Sequence, residues 1–466
     1  MNREKIAWFV SGSVLCYLAL QVPGSLAQRD EDFRFVRTLV DIYRQVDTNY
    51  VEDVEQKTLQ QAAISGMLNS LDPYTMYVPG DEQDAFNDAL DGNFKGVGIR
   101  LNINAAGQIE IVTPIDDSPA WKAGVLPGDI ILKIDGESVV GKRIEDIVDK
   151  VKGPDGTNVT LTLQRQTDVE KTLDITLTRS SFAVPMIKGF ARNADNTWTY
   201  WADEKAKIAY VRLTQFTPEI GAKITILAQQ LMADGMKGLV FDVRFNPGGR
   251  LEEAEQLIDL FVKEGVMVTV KGRNRPEQKI MAKPEGTLPD FPMVVLVNEH
   301  SASASEVLAG ALKDNHRATV VGARTYGKGS VQEVMPLDAN AGELKITVAY
   351  WYLPSGKRVQ KLKDATEWGV EPDVVVPMDD AQQERLVTAQ VTSEMMRLKS
   401  PTTKPATRLT TGATTQSKTL ATTRATTEPT TQVTTEQSTP ATTEPTTQPI
   451  DPQLDKAIDV IREKIK

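Results

Sequence analysis

Pro292-Met293-Val294-Val295-Leu296-Val297 runs through Asn298-Glu299-His300 into Ser301-Ala302-Ser303-Ala304-Ser305-Glu306 and then Val307-Leu308-Ala309-Gly310-Ala311-Leu312-Lys313. The apolar run predicts a buried strand over Pro292 to Val297 and the Glu306 to Lys313 segment predicts a helix, so Ser303 falls at a strand-to-helix turn. Neighbouring segments repeat the alternation. Ile208 to Leu213 and Gly238 to Val243 predict strands, and Glu219 to Met232 and Leu251 to Val262 predict helices. Alternation across the region from Ser180 to Val391 is the pattern of an α/β core. A serine at such a turn is exposed at a helix N-terminus, where backbone N–H groups can stabilise a developing oxyanion.

Gly327-Lys328-Gly329-Ser330-Val331-Gln332 follows a short distance on, pairing a hydroxyl nucleophile with a candidate amine base in a chain with two histidines. A lysine serves as base only when neutral, and burial among apolar neighbours lowers its pKa by disfavouring the charged form. Lys328 follows the apolar stretch Ala318 to Val321, and its flanking glycines permit a tight turn. Ala304 supplies one oxyanion donor by its position after the nucleophile. The glycine turn Asn246-Pro247-Gly248-Gly249, after the predicted strand ending at Val243, offers Gly248 or Gly249 as a second. Ser301 and Ser305 are equally good hydroxyls by composition, whereas His300 and His316 read as surface residues rather than triad members. Gly322-Ala323-Arg324-Thr325-Tyr326-Gly327-Lys328 satisfies the first seven positions of a phosphate-binding loop, but Gly329 stands where Ser or Thr must contact magnesium. A nucleotide site is therefore rejected.

The 466 residues predict two or more domains, and a net charge of −10 with a pI near 5.1 argues against a nucleic-acid partner. The single cysteine, Cys16, lies in the apolar segment Ile6 to Leu20. That segment follows Arg3 and Lys5 and precedes the small residues Ser25 and Ala27, as in a secretory signal over residues 1–27. The expectation is an exported, periplasmic or extracytoplasmic protein. Membrane association arises only if this segment is left uncleaved. With Cys16 removed, disulfides, thiol catalysis and cysteine-ligated zinc are excluded.

Within residues 28–93, helical spacing over Phe33 to Tyr50 and Lys57 to Leu71 predicts two amphipathic helices, an N-terminal helical arm. Residues 94–179 change to short β-rich runs: Gly98 to Ile103, Ile109 to Val112, Asp129 to Ile134, Val159 to Gln164 and Lys171 to Thr178. Residues 401–449 are dominated by threonine with proline, glutamine and alanine, so they predict a disordered tether. Residues 450–466 carry Leu454, Ile458, Ile461 and Ile465 at helical spacing, a terminal helix with a face to bury.

Ser303, Lys328 and Gln332 together resemble the pattern of the carboxyl-terminal processing, or tail-specific, proteases. Leu239-Val240-Phe241-Asp242-Val243-Arg244-Phe245-Asn246-Pro247-Gly248-Gly249, Gly369-Val370-Glu371-Pro372-Asp373 and Asp451-Pro452-Gln453-Leu454 match further family segments. The resemblance selects Ser303 among the serines, gives Gln332 the role of holding the amine, and favours Gly249 as the second oxyanion donor. It implies a multidomain α/β protein whose protease core, residues 180–400, is of the ClpP/crotonase-like type. Ser118-Pro119-Ala120-Trp121-Lys122-Ala123-Gly124-Val125-Leu126-Pro127-Gly128-Asp129 similarly resembles a PDZ domain. Gly96-Val97-Gly98-Ile99 would be its carboxylate loop, with a peptide added to the following strand, and Lys152 is a candidate for coupling that domain to the active site. The implied activity is a serine endopeptidase that needs no metal or organic cofactor. Its implied partners are protein or peptide substrates with exposed C-termini, a homodimer through the helical arm, and an activating adaptor. A catalytically silent PDZ-containing binding or scaffold protein of the same fold is the rival reading. The Thr-rich stretch departs from the family, in which the core runs almost directly into the terminal helix.

Overall fold

The structure, a computed structural model, describes residues 33–104, 106–165, 171–338, 341–395 and 451–466. The predicted signal segment and the Thr-rich stretch lie outside the described residues. The chain divides into two compact units, one of residues up to Asp84 with Val331–Val348, the other of Ala85–Ser330 with Ala349–Lys466.

In the first unit, residues 33–49 and Gln56–Asn69 are helical, close to the predicted pair. Phe33, Phe35, Val36, Leu39, Val40 and Ile42 of the first helix are all exposed. Met76–Val78 pairs antiparallel with Glu343 to Lys345. Asp72 closes the turn before that strand by accepting the N–H groups of Tyr74 and Thr75 at 2.8 and 2.9 Å.

The second unit holds two sheets that matter for the site. One contains five parallel strands in the order Ile208–Leu213, Gly238–Asp242, Met293–Val297, Thr319–Gly322 and Val374–Val375. The first three are buried along their whole length, which explains their unbroken apolar sequences. Side chains alternate between the two faces. Phe241 meets Phe261 of the helix Leu251–Phe261 on one face, while Tyr210, Val240, Val294, Leu296 and Val321 pack with Leu454, Ala457 and Ile461 on the other.

Those last residues belong to the terminal helix Pro452–Ile465, which is clamped at its start by a buried ion cluster. Arg244, wholly buried, donates to Asp242 and makes two parallel 2.8 Å bonds to Asp451. It also reaches Gln453 Oε1 at 3.1 Å, and Tyr210 donates its hydroxyl to Asp242 at 2.7 Å. Burial acts against ionisation of Asp451, but Arg244 and two backbone N–H groups outweigh it and hold the carboxyl below its ordinary range. Removing one partner leaves a buried charge uncompensated, so Asp451→Ala is expected to cost about 3–5 kcal/mol, read as a lower urea midpoint. A midpoint equal to that of the wild type would mean the clamp is idle. Because the folded pKa is depressed, this contribution is complete above the ordinary aspartate pKa of about 4 and is lost as pH falls through the folded value.

The other sheet runs Ile99–Ile103, Ile109–Pro114, Ile130–Ile134, Asn158–Arg165 and Lys171–Thr178, with Ile99–Ile103 at one edge. Its strands match the predicted ones to within one or two residues. Val97, Ile111, Ala120, Val125, Ile147, Leu161 and Leu163 form its core, and Asp129 takes Arg165 bidentately at 2.8 and 2.7 Å.

Candidate active site

The strand Met293–Val297 ends in a turn that presents Ser303 immediately before the helix Ala304–Asp314. That helix begins two residues earlier than predicted. Ser303 has φ 57 and ψ −119, a backbone conformation L-residues avoid at a cost on the order of 1–3 kcal/mol. Strain of this kind at a strand-to-helix serine is the geometry of a nucleophile elbow.

The other candidate hydroxyls are spent on structure. Ser301 is fully buried, donating to the Val243 carbonyl at 2.8 Å and accepting the Asn298 N–H at 3.0 Å. Ser305, also fully buried, donates to the Asn246 carbonyl at 3.0 Å. Ser303 is half-buried. His300 is exposed and stacks on Phe245, and His316 is exposed in a left-handed turn with φ 54.

Asn246 ties the glycine turn to the serine turn. Its carbonyl accepts the Ala302 N–H at 3.0 Å as well as the Ser305 hydroxyl, and its side-chain amide donates to the Leu213 carbonyl at 2.9 Å. Its Oδ1 accepts the Gly248 N–H at 2.9 Å, so that donor is engaged. Gly249 bridges Phe216 through the Gly248 carbonyl and the Arg250 N–H, which leaves its own N–H outside that ladder. Both glycines have positive φ. A Cβ on Gly248 would lie 2.8 Å from Ser303 Cβ and 3.0 Å from the Ala304 nitrogen, and one on Gly249 would lie 2.1 Å from the Phe216 carbonyl oxygen. Side chains are excluded at both by contact as well as by conformation. Ala304, the first helical residue, has an N–H with no intrahelical acceptor.

Lys328 is half-buried in the turn after Thr319–Gly322. What joins it to Ser303 is Glu306, which the sequence reading treated only as a helix residue. One carboxylate oxygen of Glu306 accepts both the Ser303 N–H and the Lys328 N–H, each at 2.8 Å. The other accepts the Gly327 N–H at 2.7 Å and the Thr325 hydroxyl at 2.6 Å. The backbones of the proposed nucleophile and base thus lie within two hydrogen-bond lengths of each other. Burial pushes the Glu306 carboxyl up to about 7 against these four donors. A signal was available: Ser303-Ala304-Ser305-Glu306 has the serine-to-glutamate spacing at which a glutamate returns to the N–H of the residue before a helix.

Gln332 belongs to the first unit, on the strand Ser330–Pro336, where its amide donates to Thr347 Oγ1 at 3.2 Å. In the β-rich sheet, Gly96 and Gly98 both have positive φ and Val97 is buried. The Gly98 carbonyl accepts the Ile115 N–H at 2.9 Å and the Ser118 hydroxyl at 3.1 Å, which fixes the turn leading into the edge strand at Ile99. Lys152 is exposed at the end of the helix Ile144–Val151. Among the described residues, no group of three or more His, Cys, Asp or Glu is placed to hold a metal ion.

Residues 207–376 match peptidase family S41, residues 110–165 match a PDZ domain, and residues 20–82 match the activating protease CtpB N-terminal domain. Over 380 residues the chain is 38% identical to a carboxy-terminal-processing protease of Bartonella bacilliformis, spanning 80% of this chain and 82% of that one. It is 31% identical over 368 residues to the carboxy-terminal processing protease CtpB of Bacillus subtilis, spanning 77% and 71%. Among solved structures it is similar to the photosystem II D1 C-terminal processing protease, at 27% identity and a TM-score of 0.41, covering 77% of this chain and 98% of the other.

Proposed function

The chain belongs to the carboxy-terminal-processing serine proteases of peptidase family S41 and carries a PDZ domain, and on that footing we propose that Ser303 is its nucleophile and Lys328 its general base. The single observation carrying this assignment is the shared Glu306 oxygen, which pins the backbones of both residues while Ser303 is held in a strained elbow. Ser303 Oγ attacks the scissile carbonyl carbon and its proton passes to the neutral Lys328 amine. The resulting oxyanion accepts the N–H groups of Ala304 and Gly249. Collapse breaks the C–N bond, Lys328 returns the proton to the leaving amine, and water then hydrolyses the acyl-enzyme by the same path. Gly248 supports the hole by leaving room for Ser303, where an added Cβ would intrude, its N–H being engaged by Asn246. The family resemblance supports Gln332 as the residue that orients the base without adding charge.

The proposed division is a signal segment 1–27, a helical arm 28–93, a PDZ domain 94–179, a ClpP/crotonase-like core 180–400, a tether 401–449 and a docked helix 450–466. The signal pattern supports an exported enzyme. The exposed apolar side chains of the first helix support a homodimer through the arm, and the match to an activating-protease N-terminal domain supports control by an adaptor. Among the described residues no helix is long and apolar enough to cross a membrane.

A substrate C-terminus is proposed to dock on Gly96-Val97-Gly98-Ile99 and to extend along the edge strand Ile99–Ile103, as an added strand would. The test is a long peptide with a free or an amidated C-terminus. Binding to the full-length Ser303→Ala chain is expected to weaken about tenfold or more on amidation, because the backbone loop loses its charged ligand. Equal affinities by titration calorimetry would remove the carboxylate role of the loop.

A further inference from the structure

Beside the proposed carboxylate loop lies a buried charge cluster with no part in the chemistry above. Its centre is Glu394, the last residue of the helix Asp380–Glu394. One Glu394 oxygen receives Arg212 of the core strand Ile208–Leu213, and the other pairs at 3.2 Å with Arg100 of the edge strand Ile99–Ile103. The Glu394 carbonyl is approached at 3.5 Å by Arg192, which also pairs with Asp116 and lies 4.2 Å over the Trp198 ring. Lys188 is buried in the same cluster, and burial lowers its pKa against the attraction of Glu394 and Asp116. Burial likewise opposes ionisation of Glu394, but Arg212, Lys188 and Arg100 prevail and hold it charged.

Two features make this more than a structural ion cluster. On the PDZ side, Arg100 directly follows the carboxylate loop, and Asp116 lies between Ile115 and Ser118, the two residues that bond the Gly98 carbonyl. On the core side, the residue after Arg212 is Leu213, whose carbonyl accepts the Asn246 amide. Asn246 in turn holds Gly248, Ala302 and Ser305. Ionic and hydrogen-bonded contacts, joined through the Arg212–Leu213 peptide bond, therefore run from the strand proposed to receive the peptide to the turn proposed to receive the oxyanion, and Glu394 links the two sheets directly, one carboxylate oxygen to each.

We propose that Glu394 is a positioning residue that clasps the peptide-receiving edge of the PDZ domain to the core strand behind the oxyanion turn, so that a docked C-terminus is presented productively to Ser303. The proposal rests on the reading of Gly96 to Ile99 as the carboxylate loop. An exposed alternative already suggested by sequence, Lys152, sits at a helix end, whereas Glu394 contacts both sheets directly.

The experiment uses the full chain and the ratio of kcat for a free-acid peptide to kcat for its C-terminal amide. Glu394→Gln keeps the side-chain shape and removes the charge, and it is expected to reduce that ratio about tenfold, within the usual range of coupling between sites. The affinity of the free-acid peptide, measured in a Ser303→Ala background, is expected to change less than about twofold, since the loop itself is untouched. Arg100→Met, at a side chain 44% exposed, tests the same contact without disturbing the buried cations. It is expected to lower the ratio similarly, with no further loss in the double variant. A ratio preserved in both variants would overturn the clasp alone. A wild-type kcat ratio near one would likewise overturn the clasp, whereas equal affinities of the free acid and the amide in the Ser303→Ala background would overturn the carboxylate-loop reading on which it rests.

Discussion

Ser303→Ala and Lys328→Ala are each expected to reduce peptide hydrolysis by about 10⁴-fold or more, because members of one proton-transfer unit fail together rather than additively. The double variant is expected to be no worse than either single one. Folding is expected to survive: alanine at residue 303 keeps the Cβ that already accommodates φ 57, and the Glu306 contacts are to backbone N–H groups. Lys328→Arg is expected to fail as completely as Lys328→Ala, since a guanidinium cannot become the neutral base. Steady-state assays with circular dichroism on each variant decide the matter. Wild-type turnover in a folded Ser303→Ala chain would send the search for the nucleophile elsewhere, with Ser301 and Ser305 already engaged in buried hydrogen bonds.

The parts legible from sequence are those where one local pattern meets one structural demand. Met293–Val297 and Gly238–Asp242 are buried on both faces, so nothing in them competes with an apolar strand reading. Lys171–Thr178 was bounded to the residue. The hairpin Gly265–Gly272 and Arg275–Ala282 was missed because most of its second strand is exposed and carries charged and polar residues, with Pro276 inside it. Its pairing is set by its partner, not by its own periodicity. The helix Gln83–Asp91 was missed for a related reason, having no fully buried side chain to mark a face.

The site divides the same way. Ser303 and Lys328 stand out because their residue types and spacing are unusual, but the reason Ser301 and Ser305 are unavailable lies in contacts with Val243 and Asn246, more than fifty residues upstream. Glu394 and Arg244 are likewise ordinary charged residues until the fold brings Arg212, Arg100 and Asp451 to them. Burial of such charges is a tertiary property, invisible to any window of sequence.

Glu306→Gln is expected to lower kcat about 10²-fold with little change in KM, the scale on which small misplacements of reacting groups act. Four donors converge on the native carboxylate, from Ser303, Thr325, Gly327 and Lys328. An amide of the same shape offers one oxygen and turns an N–H₂ toward donors that cannot accept it, leaving buried N–H groups unsatisfied at about 1–3 kcal/mol each. Protonation creates the same conflict, so wild-type activity is expected to rise as pH passes through about 7, where burial has placed the Glu306 carboxyl. Stability should move the opposite way. A carboxyl whose folded pKa exceeds its ordinary 4.5 binds its proton more tightly in the folded chain, so this group favours the fold in acid and loses that contribution between 4.5 and about 7. Loss of activity in mild acid without loss of stability therefore separates an effect at the site from unfolding of the enzyme, and the comparison with Glu306→Gln assigns the part that belongs to this carboxyl. The pH dependence of kcat, measured beside urea midpoints on the wild type and Glu306→Gln, reads both. A variant with near wild-type kcat would show that Ser303 and Lys328 keep their alignment without the carboxylate that now joins their backbones.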